Sequence, residues 1–447
     1  VFVSRALHTL YGLADIAWVG RLSPEALGAV STCFFASWAI FAIGDILVSG
    51  LTALVAQAVG GHRDSDAAVS AETGAVVALL LGCAVAALGW WGSPVLFSRL
   101  FDDPQVVRMG SDYLRLFVLL APLFYLDMSA EAVYRACGDS TTPMVVLLVG
   151  SLLNIGLDPL LIFGWGPFPR LEVTGAALAT VIAEIVVVGI YVALYARRHI
   201  PLPNLRLSQA MRTFSRDRAA RMFRIGLPTA LVGVLYAAVY LALARVAGGF
   251  GAATLAALGL VNRLESVNYL GSSAIGLGAA TLVGQNLGAS LPERSESSAH
   301  RAALLATLFA GTFMLPFLLV PEPLARLFTD DPEAVHAAAS FLRIVGISQV
   351  MMAWELVYAQ AFIGAGDTLP PMWVSVSMSL IRVPLAWWLA VPMGMGPNGI
   401  WWTISGTGIL RGVWLTLWFR RGRWKRFTPP EHPEVMVPLR GADGPEG

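Results

Sequence analysis

The chain has 447 residues, 56% of them hydrophobic and only 13% charged, with a mean hydropathy of +0.68. That composition excludes an ordinary soluble domain and reads as an integral membrane protein. The 30 basic and 29 acidic residues leave a net charge of +1, so the charge balance gives no reason to expect a nucleic-acid partner.

Apolar stretches long enough to cross a hydrocarbon core of roughly 30 Å, about 20 residues of helix, recur along nearly the whole sequence. In chain order they cover about 1–21, 28–58, 69–92, 109–136, 142–165, 173–196, 225–248, 254–286, 299–320, 336–364, 370–392 and 397–419, which makes twelve. None alternates polar and apolar residues as a transmembrane strand does. Helices are the other way to satisfy the backbone in lipid, so the predicted fold class is an all-α integral membrane protein with twelve transmembrane helices.

Between the sixth and seventh spans, residues 197–224 carry eight arginines and one acid, and the last span exits through FRRGRWKRF. Positive residues stay on the cytoplasmic side, which predicts a cytoplasmic linker and, with twelve spans, two cytoplasmic termini. The sequence opens on Val1 and is expected to begin inside its first helix. Residues 421–447, rich in Pro, Gly and charge, are expected to be a disordered tail. Cys33, Cys83 and Cys137 are isolated from one another and suggest neither a disulfide framework nor a metal site.

The sequence also repeats. LVAQAVG at Leu54–Gly60 returns as LVGQNLG at Leu282–Gly288, and ACGDSTTPM at Ala136–Met144 returns as GAGDTLPPM at Gly364–Met372, both 228 residues on. RLFDDP from Arg99 and RLFTDDP from Arg326 keep that offset apart from one inserted residue. Two copies of six spans each enter and leave on the same side, so they form parallel repeats about an axis along the membrane normal. The expected layout is one six-helix lobe over 1–196, a linker over 197–224, a second lobe over 225–420 and the tail. Two such lobes rocking about a central cavity give the geometry of alternating access, which makes a transporter the leading reading.

The paired LVxQxxG and GDxxxPM runs, with SLLNIGLDPLLIFG (151–164), GAALAT (175–180) and LYGLADIAWVGRL (10–22), resemble the multidrug and toxic compound extrusion (MATE) family, in particular its DinF-like prokaryotic branch. The resemblance spans about residues 1–420. It implies V-shaped lobes, a multi-pass protein of the prokaryotic cytoplasmic membrane, expected to work as a monomer, and export of amphipathic or cationic organic compounds against inward H⁺ or Na⁺. No organic cofactor is implied beyond the coupling ion.

Ionisable side chains inside a span cost about 2.5–3.5 kcal/mol at the helix centre on insertion scales, so each needs a reason. Asp15 lies among Leu13, Ala14, Ile16 and Ala17. Asn154 and Asp158 are four apart and share a helix face, and Pro159 leaves the carbonyl of Ile155 without its helical donor. Thr180 can add a hydroxyl or simply bond its own backbone. The resemblance implies that the two aspartates, the asparagine and the threonine form the cation site of the first lobe. Two carboxylates in a dry pocket cannot both stay ionised cheaply, which suits proton uptake, and an all-oxygen set suits Na⁺ equally.

At the repeat offset Asp15 faces Leu243, Asn154 faces Arg382 and Asp158 faces Ala386, while GAALAT against GIWWTI sets Thr180 opposite Ile404. The second copy lacks the constellation, which favours function over a shared structural role. Asp127 faces Glu355 and reads as structural or gating; Glu265 is a candidate second cation or substrate contact near the lobe interface. The GD pairs read as tight turns in which Asp139 and Asp367 cap the next helix, and Gln57 and Gln285 as the ends of long helices.

Three other functions remain to be weighed. A flippase of the same superfamily would carry lipid-linked precursors, but the first lobe has no mid-span arginine for a pyrophosphate. An enzyme would need a catalytic set, and the six histidines are scattered. A facilitator without ion coupling would leave the buried acids of one lobe unexplained.

Overall fold

The computed structural model describes residues 24–100, 104–166, 168–197, 202, 205, 206 and 210–427. Among these, every regular element is helical. The first half contains α1 (Pro24–Gly60), α2 (Asp64–Leu100), α3 (Pro104–Leu119), α4 (Ala121–Ala136), α5 (Thr141–Phe163) and α6 (Glu172–Ala196). After a single helical turn, α7 (Ala210–Thr213), the second half contains α8 (Arg216–Gly248), α9 (Ala252–Gly288), α10 (Pro292–Leu319), α11 (Pro321–Arg326), α12 (Pro332–Gly346), α13 (Gln349–Ala365), α14 (Leu369–Ala390) and α15 (Pro397–Arg420).

Seven of these helices are long and apolar enough to cross a membrane, and nine spans result when the bent pairs α3–α4 and α12–α13 each count as one. The remaining long helices, α9 and α15, fall short in apolarity because small and polar groups such as Asn268, Ser272, Thr403 and Ser405 are buried against neighbouring helices. A helix enclosed by others in lipid needs close packing more than hydrophobicity. The predicted first span, 1–21, lies outside the described residues.

Two predicted spans are broken. α3 meets α4 at 45° and α12 meets α13 at 55°. The breaks fall at Leu120 and Ser348, which occupy the same repeat position. At the first, Pro122 has no N–H to offer the preceding turn. At the second there is no proline, and the Ser348 hydroxyl donates to the Val345 carbonyl at 2.9 Å. The bend is therefore a property of the unit, reached by two local means.

The apolar cores follow the halves. Phe117, Phe124 and Tyr125 centre one cluster of the first half. In the second half Phe341 stacks on Trp401 at 4.0 Å between ring centroids, and Tyr358, Phe362 and Phe419 form another core. Between the halves, the Arg206 backbone N–H and the Thr213 hydroxyl both donate to the Glu72 carboxylate, and Arg218 pairs with Asp66 at 2.6 Å. The linker is thus strapped to the start of α2. The expected tail begins with structure: Arg423–Phe427 is a 3₁₀ turn, Trp424 is fully buried, and Lys425 bonds Glu293 and Glu296 on α10. Residues 428–447 lie outside the described part.

At the linker-side end the halves touch through the two repeated motifs. Gln57 on α1 donates from Nε2 to the Gly364 carbonyl of α13 at 3.0 Å, and Gln285 on α9 donates to the Ala136 carbonyl of α4 at 2.9 Å. Each bond is the other moved by one repeat. Gly60 and Gly288 permit this approach: a Cβ on either would lie 1.9 Å from the carbonyl oxygen of Gln285 or Gln57 respectively. Farther along, Ser49 on α1 bonds Thr229 on α8 at 3.1 Å. These helix ends do more than finish their own helices; they close one end of the molecule.

Candidate functional site

The α5–α6 pair brings three of the four predicted coupling residues together. Asn154 and Asp158 are fully buried on one face of α5, and Thr180 on α6 is 2% exposed. Asn154 Nδ2 donates to Thr180 Oγ1 at 3.4 Å, while the Thr180 hydroxyl donates to the Ala176 carbonyl at 3.2 Å. The threonine thus bonds its own helix backbone and accepts from Asn154. Asn154 Oδ1 is sealed from solvent and accepts no hydrogen bond among the described residues. Glycine sets the approach of the two helices: a Cβ at Gly175 would lie 2.5 Å from the Leu161 carbonyl oxygen. Asp15, the fourth predicted residue, lies outside the described residues.

Asp127 stands within electrostatic reach of Glu131, Arg135 and, on α6, Glu184. Arg135 pairs with Glu131 one turn along α4. Among the described residues, three acids gather here around one arginine.

The second half is organised differently. Glu355, the repeat partner of Asp127, is neutralised directly by Arg411 of α15 at 2.5 Å. The two positions expected to share a role carry their charge in opposite settings. Glu265 is buried, 8% exposed. It accepts from Gln349 Nε2 at 2.8 Å; Gln349 Oε1 accepts from Asn268 at 2.7 Å, and Ser272 donates to Asn268 at 3.1 Å. Arg382, which occupies the Asn154 position, donates from Nε to Thr407 Oγ1 at 2.8 Å. Arg411 was absent from the sequence-based candidates, although an arginine nine residues before the end of an apolar helix, Pro397–Arg420, was visible there.

The GD turns differ as well. Gly138 (φ +94°) and Gly366 (φ +80°) both end a helix in the left-handed region, where glycine is unstrained. Asp139 then caps α5, accepting from the Thr141 and Thr142 backbone N–H groups at 3.0 Å and from the Thr142 hydroxyl at 2.6 Å. Those bonds hold its carboxyl below the usual range. Asp367 does not cap α14, because Pro370 stands where Thr142 does and offers neither N–H nor hydroxyl. Burial without those donors pushes its carboxyl up to about 6.

Comparison with known proteins agrees with this architecture. The family described as MatE matches residues 1–160 and again 228–388, one match for each repeat. A probable multidrug resistance protein NorM of Thermotoga maritima is 27% identical over 94% of this chain and 90% of its own length. A protein named FAD transporter from Shewanella oneidensis is 26% identical over 90% of this chain and 88% of its own. A crystal structure of MATE in the straight conformation superposes with a TM-score of 0.87 at 23% identity, covering 95% of this chain and 94% of that one. The flippase reading gains no support from these relatives. The chain belongs to the MatE family, whose members are multi-pass membrane transporters and not enzymes.

Proposed function

We propose that this protein is a secondary active antiporter that exports amphipathic or cationic organic compounds in exchange for inward H⁺ or Na⁺, by alternating access of its two halves. The observation that carries the reading is the buried Asn154–Asp158–Thr180 group in the first half, set against Arg382 and Ala386 in the second. A carboxylate and two neutral oxygen-bearing side chains in a dry helix pair form a cation site. Asp15 completes that site in this reading. Asp127 serves gating, and Glu355 and Glu265 fix the second half. An inward cation contributes about 2.3 kcal/mol per 100 mV of membrane potential, enough in kind to drive export.

The membrane is the prokaryotic cytoplasmic one, with both ends of the chain and the linker inside, since the linker-side end collects the arginines of 197–224 and 420–426. The chain acts as a monomer. Reconstituted in inside-out vesicles, it should accumulate a fluorescent organic cation when a pH or Na⁺ gradient is imposed and stop when the gradient is collapsed. Uptake indifferent to both gradients would leave a facilitator instead.

A further inference from the structure

We propose that Arg382, with Arg411 and the Tyr236–Tyr240 pair, forms an oxyanion-binding subsite inside the second bundle, taking the carboxylate or phosphate of an amphipathic aromatic compound. This rests on the export reading and narrows its substrate class, from amphipathic or cationic compounds to amphipathic compounds that carry an anion. Five helices converge here: α8 brings the tyrosines, α9 Glu265, α13 Glu355, α14 Arg382 and α15 Arg411.

Arg382 is only 3% exposed, in a bundle that faces lipid. Its Nε is used on Thr407, yet its two terminal nitrogens make no hydrogen bond or ion pair to any described residue. Unlike the Nε of Arg411, those nitrogens are not sealed from solvent. Of the nearby acids, Glu355 pairs with Arg411 and Glu265 accepts from Gln349; both lie within electrostatic reach of Arg382, but neither hydrogen-bonds it. A guanidinium inside a membrane bundle with unused, accessible donors can take an oxyanion, and its planar fork matches carboxylate and phosphate in geometry.

The tyrosines supply the rest of an aromatic oxyanion site. Their ring centroids are 4.6 Å apart, and both residues are half-buried within electrostatic reach of Arg382 and Arg411. A flat apolar ring seats against such a pair while its acidic group meets the guanidinium. The repeat makes the contrast plain. The first half gathers Asp127, Glu131 and Glu184 around Arg135, whereas the second sets two arginines, Arg382 and Arg411, beside Glu265 and Glu355.

The test is equilibrium binding to the purified full chain, with no gradient, of an aromatic dye bearing a carboxylate, its methyl ester, and an aromatic phosphate monoester. The carboxylate dye, the phosphate dye or both should bind at least tenfold tighter than the ester, and whichever does names the anion. Arg382→Gln should abolish that preference and leave binding of an organic cation within twofold, while Arg382→Lys should keep part of it. Equal binding of all three dyes by the unaltered protein, or an Arg382→Gln change that weakens the anion and cation probes alike, would overturn the proposal. The unaltered protein supplies the first comparison, so the result does not depend on the variants folding. Gradient-driven export of cations without any oxyanion preference would sink this subsite and leave the export reading standing; an oxyanion preference without gradient-driven export would do the reverse.

Discussion

Gln57 and Gln285 make the same hydrogen bond in opposite directions across the molecule, each reaching from the end of its own helix to the last turn of a helix in the other half. The two repeated sequence motifs are thus donor and acceptor for each other, and the contact closes the linker-side end. The alternating access proposed for this protein requires the contact to break, so it should set the balance between closed and open forms.

Replacing one glutamine by alanine removes a net contribution of about 1 kcal/mol, roughly a fivefold shift toward the open linker-side form, and replacing both should shift it further. Spin-label distances between α1 and α13, measured in Gln57→Ala and in Gln57→Ala/Gln285→Ala, would report it. Unchanged distance distributions in both would show that the bonds do not hold the end shut.

Gly60→Ala tests the same closure by sterics. Its Cβ would need the space of the Gln285 carbonyl, whereas Gly156→Ala meets nothing within 4 Å. We expect Gly60→Ala to abolish the closed form and lower transport severely, and Gly156→Ala, on an exposed helix face, to be neutral or to stabilise by a few tenths up to about 1 kcal/mol. Transport rates at matched expression decide it.

Much of this architecture was legible in the sequence. Eleven of the twelve predicted spans correspond to described helices; apolar length marks nine of them, and α9 and α15 stand out by length with a more mixed composition. The break at Ser348 was not legible, having no proline to announce it. That Asp367 fails as a cap was readable from Pro370 opposite Thr142, had the repeat been compared for donors as well as for charge. The trans pairing of Gln57 and Gln285 needed the third dimension: sequence shows that two motifs recur, and not that they meet. For the buried group on α5 and α6, spacing predicted that Asn154 and Asp158 share a face, and the approach of α6 that adds Thr180 depends on Gly175 packing against Leu161.

The two repeat-related aspartates should act oppositely on stability. Asp367 has a folded-state pKa of about 6 against 3.8 unexposed to the fold, so the native state holds its proton more tightly and stability falls as pH rises from about 4 to about 6. Asp139 is shifted downward, so its contribution is present above its ordinary pKa and is lost as pH falls below it. Thermal unfolding in detergent across that range should show Asp367→Asn losing the decline between pH 4 and 6, while Asp139→Asn keeps it.

Glu355→Gln leaves Arg411 buried beside an uncharged partner. Breaking one side of a buried ion pair costs about 3–5 kcal/mol, whereas replacing both residues by apolar ones of similar volume is often tolerated. The single variant should therefore unfold at a clearly lower temperature than Glu355→Leu/Arg411→Met. A single variant as stable as the parent would mean that the pair is not holding α13 to α15.

The central claim is that the first half couples cation entry to export through the buried group on α5 and α6. The most direct measurement is gradient-driven transport of a fluorescent organic cation by Asp158→Asn in vesicles, with folding checked by equilibrium binding of the same dye. The account predicts dye binding close to that of the parent and loss of accumulation under both pH and Na⁺ gradients. Accumulation at the parent's rate under either gradient would contradict it.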